Sequence, residues 1–249
     1  MDVSVAVDTP HKDLEFKRKK TLSDRFSLAA SRLTRSASAQ LCAQLYCIRS
    51  EVARNIYLPK DLAACDDGLI KTLVCTDFLA HAVWSMRIQT AHNAAHTFEA
   101  YTSLKSILKN QKRQIIGQTM VHILVDKFLK RLSPLERAKL GQTLLKKDQD
   151  EPEWLKRLVS DHVRECRHFW ELYPGLLTYR FRRLAELSLP ARITCFPAAL
   201  AGFLIALISG PAAFRFLKAG CTEYWPQPDR AGLSDRNLVS GEVRPLVSD

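Results

Sequence analysis

From Ile193 to Phe214 the chain runs 22 residues without a charged side chain, and no other stretch restricts the fold as strongly. As a helix it reaches roughly 33 Å, enough to cross the hydrocarbon core of a bilayer. Two placements fit such a segment: insertion in lipid, or enclosure as the core helix of a soluble domain. Its length and its freedom from charge favour lipid. Pro197, Gly202, Gly210 and Pro211 interrupt it, so insertion covers both a spanning helix and a kinked re-entrant one. Arg192 and Arg215 bracket it. Arg180, Arg182, Arg183 and Arg192 on the near side outnumber Arg215 and Lys218 on the far side, and the positive-inside bias then puts the main domain in the cytoplasm.

The balance of charge points the same way. A net +11 and a pI near 9.4 suit an anionic partner: a phospholipid surface, a nucleotide diphosphate or nucleic acid. Nucleic acid ranks last, because the basic residues are not interleaved with aromatics on a recognisable module. The seven cysteines are scattered, with no C-x-x-C pair. That is the usage of a reduced domain, not of a disulfide frame or a zinc site. The start, Met1-Asp-Val-Ser-Val, lacks the basic-then-apolar layout of a signal peptide.

Taken in order, Val3–Val7 predicts a strand ended by Asp8-Thr-Pro10. His11 to Arg35 is basic, with a broken helical stripe of Leu22, Phe26, Leu28, Ala29 and Leu33. It reads either as a patch facing diphosphate or headgroups, or as a solvated helix face. Gln44–Arg49 predicts a second strand, and Ser50–Arg54 a short helix capped by Ser50. Leu58-Pro59 then turns the chain into the acid pair Asp66-Asp67 beside Gly68, followed by a helix from Leu69 to Val83. Arg87 to Tyr101 predicts extended structure. The spacing of His92 and His96 is that of two ligands on one helix turn, but the segment is extended and no third ligand accompanies them.

Asn110-Gln-Lys-Arg-Gln114 precedes an apolar stripe of Ile116, Met120, Leu124, Phe128 and Leu132. Ser133-Pro-Leu-Glu136 is a capping box with proline at the first helical position, predicting a helix to about Leu145. Lys146–Pro152 reads as a polar linker, and Asp148-Gln-Asp150 within it as solvated loop. Glu153–Tyr173 and Leu176–Leu184 are amphipathic, with aromatic and arginine edges suited to a membrane interface or to packing on a domain core.

Two readings of the acid pair follow from its residues. Either acid can cap the helix that begins near Leu69. Alternatively, two neighbouring carboxylates raise one another's pKa, which suits a general base. The order Leu45-Tyr-Cys-Ile-Arg49, Leu58-Pro59, Asp66-Asp67-Gly68, extended return and Gln111-Lys-Arg113 resembles the acceptor side of family-2 glycosyltransferases of the GT-A fold. The resemblance covers about Leu41 to Trp225. The family's pair is Glu-Asp, so Asp66 stands for the Glu and Asp67 aligns with the base that takes the acceptor hydroxyl's proton. Gln111 and Arg113 match its arginine motif, which contacts the donor diphosphate or closes over the acceptor.

The resemblance implies an α/β fold: a partial GT-A-like mixed sheet followed by a helical, membrane-associated C-terminal region. The expected organisation is an acceptor-side part at 1–114, amphipathic helices at 115–190, a transmembrane or re-entrant helix at 191–218 and a flexible tail at 219–249. It further implies inverting transfer of a sugar from a nucleotide-diphosphate donor to a hydroxyl acceptor at a membrane face. Two features of the family are missing upstream of Asp66: the glycine-bearing nucleotide-binding strand and the D-x-D that holds Mg or Mn. The expectation is therefore a truncated or partial enzyme that binds no cofactor alone, or one whose donor half comes from a partner chain. A non-catalytic, membrane-attached basic protein that binds anionic lipid or a partner subunit is the alternative.

Overall fold

The computed structural model describes residues 3–34, 41, 45–62, 64–101 and 103–222. Most of the expected tail lies outside them. Among the described residues the chain is mixed α/β, a small mixed sheet backed by a larger helical body.

Strand β1 (Val5–Lys12) is the middle of the sheet. It runs past the stop expected at Asp8-Thr-Pro10. Helix α1 (Leu22–Thr34) follows a short 3-10 turn. Strand β2 (Tyr46–Ile48) pairs antiparallel with Val5–Val7. On the other side β3 pairs with β1 as far as Lys12, with Pro10 opposite His96. Helix α2 (Ser50–Ala53) is capped at Arg49, not at Ser50 as expected. Helix α3 (Asp66–Cys75) starts at the acid pair itself, three residues before the predicted Leu69. It also ends early, because Asp77, Phe78 and Leu79 all take left-handed backbone angles, which an α-helix cannot continue.

Strand β3 (Ile88–Phe98) supplies the expected extended return and runs parallel to β1. Val7 faces Thr90 and Thr9 faces Ala95, so β3 bulges between them, with Asn93 at φ +60° taking the left-handed position. Helix α4 (Leu104–Ile123) begins at Ser103, whose hydroxyl accepts the amide of Ser106. The division expected at 114/115 therefore falls in the middle of a helix, and one core runs across it from Leu62 to Leu217.

The Ser133 capping box forms as predicted and opens α5 (Pro134–Ala138). The chain then bends at Lys139 into α6 (Leu140–Asp150). The polar "linker" Lys146–Pro152 is thus largely helix. Helices α7 (Trp154–Glu165), α8 (Tyr179–Ala185) and α9 (Leu189–Lys218) complete the body.

Helix α3 joins the two layers. Leu69 and Leu73 enter the helical core with Ile115, Ile116, Met120 and Leu124. Ile70, Val74 and Cys75 enter the core under the sheet with Val5, Val7 and Ile88. At a 3.6-residue period, positions 69/73 and 70/74 face about 100° apart, so one short helix serves both cores. Helix α9 carries the charge-free run and is, by length and composition, long and apolar enough to cross a membrane. One side of it packs on α1, α4, α7 and α8.

Candidate functional site

Asp66 and Asp67 are the first two residues of α3, with Cys65 at the cap position in a left-handed conformation. Neither acid is the cap. Both favour the positive end of the helix dipole. The Asp67 carboxylate accepts the Gly68 amide at 2.8 Å. Burial, followed by the charge of Asp66, raises the pKa of Asp67, while Gly68, Arg113 and Lys71 work against the rise.

The turn that carries the acids rests on α4. The Cys65 thiol donates to the Gln114 carbonyl at 3.9 Å. Gly117, one turn further, allows the close approach: a Cβ there would lie 2.6 Å from Cys65 Sγ and 2.9 Å from the Ala64 backbone. This contact holds Arg113 near enough for its charge to act on both Asp67 and Cys65. Burial and Asp67 push the Cys65 thiol up to about 12, so it stays protonated and is no nucleophile at neutral pH.

Gln111 does not face the acids in its bonding. Its side-chain oxygen accepts from Arg180 Nη2 at 2.9 Å, tying α4 to α8. Arg180 is sheltered, and burial lowers its pKa without discharging it. It runs over Gly202 of α9, where an added Cβ would lie 1.8 Å from Nη1. Burial raises the phenol pKa of Tyr173, and Cys65 and Arg180 are near enough for their charges to act on it. Cys65, Tyr173 and Arg180 thus join the four predicted residues. Only Gly202, a glycine inside an apolar helix, hinted at Arg180. Nothing local distinguishes Arg180 from Arg182 and Arg183.

The two other sequence candidates resolve differently. His96 Nδ1 bonds the buried carboxylate of Asp8, and His92 is exposed on β3. Among the described residues no three His, Cys, Asp or Glu side chains gather to hold a metal ion. Asp148 is not in a solvated loop. It is buried on α6, where Oδ2 accepts the Tyr57 hydroxyl and the Lys60 amide, both at 2.9 Å, and Oδ1 accepts the Trp154 indole N–H. With both oxygens occupied by donors, the Asp148-Gln-Asp150 spacing does not fit a Mg or Mn site.

Two clefts, about 290 and 410 Å³, open beside the sheet around Asp77 and Arg87, and neither is lined by Asp66 or Asp67. No family model, curated protein or solved structure matches the chain.

Proposed function

We propose that this chain is the acceptor side of an inverting, family-2-like glycosyltransferase working at a membrane face, with Asp67 as general base. The observation that carries the reading is the meeting of two motifs 46 residues apart in sequence: the acid pair on α3 and Arg113 on α4, joined through Cys65 and Gly117. In the reaction, the acceptor oxygen attacks the anomeric carbon of the donor sugar and its proton passes to Asp67. The bond from that carbon to the diphosphate breaks, and the electron pair leaves with the diphosphate. A carboxylate lifted by burial is a better base than a solvated one. Arg113 is suited to meet diphosphate oxygens with its planar fork. Gln111 acts indirectly, holding α4 to Arg180. In this reading the metal of such enzymes belongs to the donor half, and the Asp148-Gln-Asp150 spacing does not supply it, because both Asp148 oxygens already accept from Tyr57, Lys60 and Trp154.

The position of the two clefts away from Asp67 favours a second reading, a non-catalytic basic protein attached to lipid. One comparison separates them. Membranes bearing the wild-type chain are assayed for incorporation of labelled sugar from nucleotide-sugar donors, beside Asp67→Asn. With the donor half supplied in the same membranes, the transferase reading expects incorporation that the Asn variant abolishes; transfer that survives in the Asn variant sinks it. Saturable binding of a nucleotide sugar with Mg or Mn to the purified chain would overturn the assignment to the acceptor side alone.

A further inference from the structure

Helix α9 has two faces that differ in size, not in polarity. Cys195, Ala198, Ala199, Gly202, Ala206, Ser209, Gly210 and Ala213 are buried against the rest of the protein. Leu189, Ile193, Phe196, Leu200, Leu204 and Ile208 are 42–70 % exposed. At about 100° per residue these six fall in one sector roughly 120° wide, opposite the small residues. The stripe runs roughly 28 Å along the axis at 1.5 Å per residue. Arg192 near one end, and Arg215 and Lys218 at the other, are exposed. No acidic residue interrupts the run between Arg192 and Arg215.

A spanning helix would need lipid or apolar protein around its whole circumference. Here the buried face is covered by charged helices. Arg157, Asp161 and Arg164 are exposed on α7, Arg182 on α8 and Lys105 on α4. If α9 crossed a bilayer with this packing intact, several of these charges would enter hydrocarbon, where each is strongly disfavoured. Laid flat, α9 places its large apolar side chains among acyl chains. Its long basic side chains reach headgroups at both ends, and the covering helices stay in water.

We infer that α9 docks in the plane of an anionic bilayer through the Leu189–Ile208 stripe and does not cross it. The inference rests on the membrane-face part of the function proposed above and is independent of Asp67. Two measurements test it. The first is partitioning of the purified chain onto phosphatidylcholine vesicles with and without phosphatidylglycerol. Binding should rise with the anionic lipid and fall by about tenfold or more in Ile193→Gln/Leu200→Gln/Leu204→Gln, whose exposed positions leave the circular dichroism unchanged. Wild-type binding by the triple variant, or binding indifferent to lipid charge, overturns it.

The second reads topology from the native cysteines. Cys47 and Cys221 are both exposed, before and after α9. An impermeant maleimide applied to sealed right-side-out or inverted membrane vesicles should label both from the same side. Labelling from opposite sides means that α9 crosses. Asp67→Asn should bind vesicles like wild type, so transfer that survives in it with docking intact removes only the catalytic reading.

Discussion

Replacing Asp148 by alanine should cost about 3–5 kcal/mol, and the sum can be followed bond by bond. Three donors converge on this carboxylate from two parts of the chain: Tyr57 and Lys60 from the turn leading to the acid pair, and Trp154 from the start of α7. Tyr57 and Lys60 are partly exposed and regain water, so each loss costs about 1 kcal/mol. Trp154 is 4 % exposed and packed on Phe128 with ring centroids 4.7 Å apart. Its indole N–H cannot reach water, which adds about 1–3 kcal/mol for a stranded donor. Asp148→Asn keeps the shape and one accepting oxygen, so it should cost about half as much. At roughly 2–4 °C per kcal/mol for a chain of this size, the alanine variant should melt about 6–20 °C below wild type. The assay is thermal unfolding followed by circular dichroism and tryptophan fluorescence. Trp154→Phe provides the internal control: in that background Asp148→Ala should lose about 1–3 kcal/mol of its effect. An alanine variant within about 1 kcal/mol of wild type would show that Asp148 is solvated after all.

Gly117→Ala gains about 1 kcal/mol of helix propensity but drives a Cβ into Cys65 and the Ala64 backbone. The clash, about 1–3 kcal/mol, should win; Cys65→Ala should restore only part, because Ala64 remains, and full restoration would locate the strain in the thiol alone. Burial and Asp66 make native Asp67 hold its proton more tightly than the unfolded chain does. Stability should therefore fall as pH rises from the ordinary carboxylate range through the raised native value, and be unaffected below it. Asp67→Asn should abolish that fall and melt above wild type at pH 7; a variant that melts lower there would mean the charge is stabilised in the fold. Gly202→Ala displaces Arg180 and breaks its bond to Gln111, a loss of about 1.5–3 kcal/mol. Its effect and that of Gln111→Ala should be far from additive in a double-mutant cycle; simple addition would refute the link between α9 and α4.

How much of this was legible in advance varied with the range of the cause. The Ser133 capping box and the strand character of Tyr46–Ile48 and Ile88–Phe98 depend on neighbours a few residues away, and each appeared where its residues placed it. Boundaries failed where distant contacts override local preference. Helix α3 stops at Cys75 although Phe78 and Ala82 continue its apolar spacing, because the chain must turn back through left-handed residues to enter β3. The segment around Asp148 has the composition of a linker, while the donors that bury its carboxylate lie 91, 88 and 6 residues away. In the candidate site, the acids and Arg113 were readable as motif residues. Arg180 and Tyr173 were not, since nothing short-range marks which basic or aromatic residue of a helix edge turns inward.

By itself the sequence determined that residues 193–214 form an apolar element that water will not surround on all sides, since no charge lies within it. It could not say which side is covered. Hydrophobicity is nearly uniform around α9, and the choice was made by size: only alanine, glycine, serine and cysteine let α1, α4, α7 and α8 approach closely, which leaves leucine, isoleucine and phenylalanine facing out. The tertiary structure alone decided that selection, the approach of Arg113 to Asp67 and the burial of Asp148, because each depends on the depth at which two distant segments pack.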